Sequence, residues 1–120
     1  MAHDITLTIA LNSISFEEFQ KDPNSLKSHL SPATLFDIND IVVSNLESRE
    51  GNPSISIQKI ELKKLDQESN TGTFRLHFEI NRIYCCSGVE SARTDYIDFK
   101  FQYDGKIMHA KGEYVQWNVN

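Results

Sequence analysis

Asp104-Gly105, set between Tyr103 and Lys106, constrains this chain more than any other dipeptide in it. Alternating apolar residues run away from it on both sides, and Asp-Gly is a favoured pair for a two-residue β-turn because positive φ is needed there. The spacing predicts a hairpin pairing Tyr103 with Lys106. Phe101 then faces Met108, Phe99 faces Ala110 and Ile97 faces Gly112, while on the other face Asp98 meets Lys111 and Lys100 meets His109. A hairpin fixes a register, and a register fixes which side chains share a face.

The rest of residues 55 to 119 also reads as β. Ile55 and Ile57 alternate, and the phase then shifts so that Ile60 and Leu62 continue the apolar set. Such a slip on one strand marks a bulge near Gln58-Lys59. Asp66 to Gly72 forms a polar loop. The longest strand follows, with Phe74, Leu76, Phe78, Ile80 and Tyr84 on one face and Arg75, His77, Glu79 and Asn81 on the other. Ser87 to Arg93 is expected to turn the chain, Ile97, Phe99, Phe101 and Tyr103 to face the core, and Trp117 to regain it after a bend at Gly112.

Upstream the periodicity differs. Ile5, Leu7, Ile9 and Leu11 alternate as in a half-buried strand. Ser15-Phe16-Glu17-Glu18 has the capping-box form, which predicts a helix capped by Ser15 and running to about Lys21. The Asp22-Pro23 step ends it, because a residue before proline disfavours helix. Asn24 or Ser25 caps a further short turn carrying Leu26 and Leu30. Ser31-Pro32 opens another helix, with Leu35, Ile38, Ile41, Val42 and Leu46 at helical spacing. The β-branched Ile41-Val42-Val43 leaves a strand as the alternative over 33–47, and Gly51-Asn52-Pro53 breaks the chain.

At 120 residues, without linker, repeat or low-complexity segment, residues 1–120 form a single domain. The class is α+β: a four- to five-stranded antiparallel sheet with the N-terminal helical region packed on one face. This element order is similar to that of cystatin-like and NTF2-like folds, an analogy of architecture that carries no function.

The formal net charge of −5 lacks the basic excess of nucleic-acid binders, so no nucleic-acid partner is expected. No apolar run reaches the roughly 20 residues of a membrane helix, and no membrane partner is expected either. Met1-Ala2-His3-Asp4 lacks the basic and apolar blocks of a secretory leader, so the expected compartment is the cytoplasm. Cys85 and Cys86 are adjacent and would point to opposite faces of a strand, which fits a reducing compartment rather than a structural staple.

No motif specifies a chemistry. His3, His29, His77 and His109 are scattered without metal-ligand spacing, and Asp37, Asn39 and Asp40 lack the glycine and terminal glutamate of a calcium loop. No cofactor or metal is expected, and no nucleophile stands in a catalytic context. The best candidate is the polar sheet face: His77, Glu79, Tyr96, Asp98, Lys100, His109, Lys111 and Glu113. One strand register would align His77, Lys100 and His109 in a row, where the lysine would favour neutral imidazoles able to act as bases. The commoner role for such a face is to meet water or a partner. The functional expectation is a non-enzymatic cytoplasmic module that binds another protein, as a small immunity or antitoxin-type inhibitor does. The alternative is a small-molecule site or weakly marked enzyme, with a pocket between sheet and helices lined by the aromatic set.

Overall fold

The computed structural model describes residues 3–46, 51–84 and 89–114. The chain runs β1 (His3–Ala10), α1 (Ser13–Lys21), a 3₁₀ helix (Pro23–His29), α2 (Pro32–Ser44), β2 (Ser54–Asp66), β3 (Thr71–Tyr84), β4 (Val89–Tyr103) and β5 (Ile107–Tyr114). The five strands form one antiparallel sheet in the order β1-β5-β4-β3-β2, so the first strand closes the sheet beside the last. This is the expected α+β architecture. Residues 33–44 are helix, as the capping and spacing indicate, and not strand.

Local chemistry sets the helix ends. Ser31 accepts from the Thr34 backbone N–H at 3.1 Å, and Pro32 occupies the first turn, where a missing N–H costs nothing. For α1 the cap differs from expectation. Asn12 holds the cap position, its Oδ1 accepting from Ser15 N at 2.7 Å, so the helix begins two residues before Ser15. An asparagine caps as well as a serine, and it is the first residue beyond the buried end of the strand pattern at Leu11.

The core lies between the sheet and the helical segment. Ile5, Leu7, Ile9, Phe74, Leu76, Phe78, Ile80, Ile97, Phe99 and Phe101 point into it from the strands, while Phe16, Phe19, Leu26, Ile38 and Val42 descend from the helices. Leu35, expected in this set, is instead 38% exposed on α2. Phe19 meets Phe74 and Phe101 edge-on at 6.0 and 5.7 Å, and Phe16 stacks on Tyr103 at 4.0 Å. The Tyr103 hydroxyl donates to the Leu11 carbonyl at 2.8 Å, tying the end of β1 to the hairpin. Aromatic rings thus pack the interior between α1 and the sheet.

The β4–β5 register differs from the sequence expectation by two residues. Tyr103 pairs with Met108, Phe101 with Ala110, Phe99 with Gly112 and Lys100 with Lys111. The cause lies in the turn. Gly105, at φ +99°, occupies its first central position and Lys106 its second. Asp104 stands before the turn, where its Oδ1 accepts from Lys106 N and Ile107 N at 2.9 and 2.8 Å. Only the glycine takes positive φ, so the aspartate is worth more as a side-chain cap than as a turn centre. A shift of two preserves the faces but changes every partner. Ile97 no longer faces Gly112, and the Asp98–Lys111 and Lys100–His109 pairs do not form.

Two glycines make the Phe positions possible. A Cβ on Gly112 would come within 2.7 Å of the Phe99 ring and 2.9 Å of the Asp98 carbonyl oxygen. Gly72, opposite Phe101, would meet that ring at 2.9 Å and also the Lys64 carbonyl oxygen.

β4 begins at Val89, so residues 89–93 extend the ladder instead of turning the chain. At about 3.3 Å per residue its 15 residues span roughly 50 Å, which accounts for the 53 Å long dimension of the molecule. The expected bulge falls between Ile57 and Lys59, and a second lies between Leu62 and Lys64. Cys85, Cys86 and Trp117 lie outside the described residues. The outer edge of β2 is covered from the helical side. Ile60 N donates to Asn24 Oδ1 at 2.7 Å, Ile55 N to Asn39 Oδ1 at 2.9 Å, and Lys27 Nζ to the Gln58 carbonyl at 3.1 Å. These contacts dock the helices and blunt a sheet edge together.

Gly112→Ala is expected to cost about 1–3 kcal/mol through overpacking against Phe99. Asn24→Ala should cost about 1 kcal/mol by freeing an edge N–H. Urea unfolding checks both; a midpoint unchanged in Gly112→Ala contradicts the Phe99–Gly112 pairing.

Candidate functional site

The sheet face away from the helices carries all eight polar residues expected there, and the strand registers sort them into rows. Glu61 of β2 pairs with Arg75 of β3, and Arg75 with Asp98 of β4. Arg75 Nε and Nη2 donate to the two Asp98 oxygens at 2.7 and 3.0 Å, a bidentate fork. The same guanidinium lies 4.0 Å from the centre of the Tyr96 ring. Tyr96 pairs across the ladder with His77, their rings 6.3 Å apart. His77 Nε2 donates to Glu61 Oε1 at 3.1 Å, and Lys63 approaches that oxygen at 3.3 Å. The His77 hydrogen bond, followed by that of Lys63, holds the Glu61 carboxyl below its ordinary value. The bond from Asp98 likewise raises Arg75 above an already high value.

The centre of the face is therefore a connected platform: Glu61, His77, Tyr96, Arg75 and Asp98. Glu79 lies beside it and accepts from Gln58 Nε2 at 3.0 Å. The expected row of His77, Lys100 and His109 is absent. His77 stands opposite Tyr96, and His109 opposite Gln102 and Thr8. The β3–β4 ladder is offset from the alignment that would form the row, because both strands run on to Tyr84 and Val89 before the connection. The expected alignment of His77 and His109 about Lys100 thus does not form; the lysine opposite His77 is Lys59 of β2.

At the other end of the face the two-residue shift in β4–β5 has a chemical result. Lys64, Thr73, Lys100, Lys111 and Thr6 stand side by side across all five strands. Like charges directly opposite in an antiparallel pair destabilise it. Lys111 has an acid, Asp4, only at 4.0 Å, and His109 has Asp104 at 3.8 Å. Glu113 stands opposite Asp4.

The sequence reading missed a buried carboxylate. Asp95, 8% exposed, shares the core-facing parity of Ile97 and Phe99. Its Oδ2 accepts from the Tyr114 hydroxyl at 3.0 Å and its Oδ1 from Tyr96 N at 2.8 Å. Tyr114 is fully buried, its ring 5.9 Å from Phe78. Burial and then the Asp95 charge push its hydroxyl well above the usual tyrosine value. Strict alternation from Phe101 back to Asp95 would have found this position. Both oxygens are satisfied, so the pair ties β5 to β4 and offers no free base.

Among the described residues no group of three His, Cys, Asp or Glu side chains is placed to hold a metal ion, and no helix is long and apolar enough to cross a membrane. No protein-family model, curated protein or solved structure matches the chain.

Because the Tyr114 hydroxyl is harder to ionise in the folded state, its contribution is intact below about pH 10 and lost as pH rises further. Wild-type stability should therefore fall above about pH 10. Tyr114→Phe should be less stable by about 1–3 kcal/mol at neutral pH, with a shallower alkaline decline. Urea midpoints between about pH 8 and about pH 11 measure it; parallel curves contradict the assignment.

Proposed function

We propose that this chain is a non-enzymatic cytoplasmic module that binds another protein, of the kind that an immunity protein or antitoxin-type inhibitor represents. The contact is centred on the Arg75–Tyr96–His77 platform. The observation that carries the reading is the Arg75 guanidinium, locked between a bidentate Asp98 and the face of Tyr96. Tyrosine and arginine dominate the energetics of protein interfaces, and side chains already held in one geometry lose little entropy on binding. Their hydrogen-bonding partners are mostly each other, so the groups are positioned for recognition more than for proton transfer. Flanking Glu79 and Gln58 supply a polar rim.

The pocket alternative draws on a hollow of about 260 Å³ between α2, the 3₁₀ helix and β2, lined by Lys27, Leu30, Leu35, Ile55, Ser56 and Ile57. That volume lies below the roughly 300–1,000 Å³ of ligand sites. The packed rings of Phe16, Phe19, Phe74 and Phe101 fill the neighbouring interior.

The test is retention of a stoichiometric partner from lysate of the protein's own source. Tyr96→Ala should weaken binding by about 30-fold, the size of a hot-spot truncation. Glu79→Lys should weaken it to a lesser degree, and Glu17→Lys on exposed α1 should leave it unchanged, with all three variants folded by circular dichroism. No partner for the wild type, or equal retention by all variants, overturns the reading.

A further inference from the structure

We propose that the lysine row at the hairpin end of the sheet binds the phosphate group of a small phosphate monoester. Four observations converge on it. Lys64, Thr73, Lys100, Lys111 and Thr6 are ladder neighbours across five strands with no carboxylate among them. Thr71, Gln102, His109 and Thr8 form the adjacent row, which adds hydroxyl, amide and imidazole groups able to donate.

A hollow of about 330 Å³ lies over these rows, lined by Thr6, Thr71, Lys100, Gln102, His109 and Lys111 among others. A second, of about 670 Å³, adjoins it and shares Lys100 and Thr71, with Lys64 and Thr73 on its wall. Lys64 and Lys100 have no ion-pair partner among the described residues, whereas Arg75, in the neighbouring row, is fully engaged by Asp98. Acids stand at the margin: Asp66 is on the wall of the larger hollow, Glu113 stands opposite Asp4, and Asp4 at 4.0 Å from Lys111 and Asp104 at 3.8 Å from His109 are on exposed side chains.

A chain with net charge −5 that sets two lysines directly opposite each other has concentrated positive charge where its fold gains nothing from it. A dianionic phosphate over that pair reverses the repulsion. Its oxygens accept from ammonium and hydroxyl donors together, and the shallow hollow leaves the rest of the ligand in solvent. The residues differ from those of the protein-binding platform, so the two readings fail separately.

The experiment is an amide chemical-shift titration with glycerol 3-phosphate and with inorganic phosphate, ionic strength being held constant with sodium chloride. Saturable shifts at Thr6, Thr73, Lys100 and Lys111 are expected, with affinity lowered at least tenfold in Lys100→Gln and in Lys111→Gln. Without phosphate, Lys100→Gln should melt higher than wild type, which also shows that it folds. At saturating phosphate that order should reverse. Tyr96→Ala should leave the shifts intact. Shifts that do not saturate, that acetate reproduces at the same concentration, or that survive both lysine substitutions overturn the proposal.

Discussion

The register of the β4–β5 hairpin is the constraint on which the rest depends. One carboxylate, Asp104, accepts two backbone N–H bonds and places Gly105 at the position needing positive φ. From that follow Phe99 over Gly112, Phe101 opposite Ala110, and the close fit of Phe16 and Phe19 on the rings beneath them. The same bonds hold the Asp104 carboxyl below its ordinary value, Ile107 contributing first and Lys106 next. On the far side of the sheet this register puts Lys100 against Lys111. Core packing and surface electrostatics are two faces of a single choice at the turn.

The helical segment adds cover to the sheet in two senses. Its aromatic and aliphatic residues close the apolar face, where the largest part of the stabilisation arises from burial. Its asparagines take up N–H groups on the outer edge of β2, which would otherwise invite another strand. The two bulges in β2 bend that edge further. The helices thereby leave the opposite sheet face open, with exposed, ordered polar groups concentrated on it.

Much of this was legible in the sequence, for identifiable reasons. Strict alternation at Ile5–Leu11 and Phe74–Ile80, the Ser31-Pro32 start and the phase slip before Ile60 each have one physical reading, and each corresponds to an element or bulge. Membership of the polar face was legible too, since a shift of two residues does not move a side chain between faces. Row partners were not. Pairing depends on which residue of Asp104-Gly105 takes the turn centre and on where the β3–β4 connection falls. Neither leaves a mark in apolar periodicity. Asn12 displaced Ser15 because two good capping residues stood three apart. Asp95 escaped notice because a carboxylate of core parity looks like the end of a strand until Tyr114 supplies its donor.

The lysine row on the open face rests on that register, and interstrand nuclear Overhauser contacts measure it most directly. Backbone proton contacts are predicted between Phe99 and Gly112 and between Phe101 and Ala110, with Lys100 facing Lys111. Contacts of Phe99 with Ala110 and Phe101 with Met108 would instead place Lys100 beside His109 and Asp98 beside Lys111. That result would dissolve the lysine row and contradict the account.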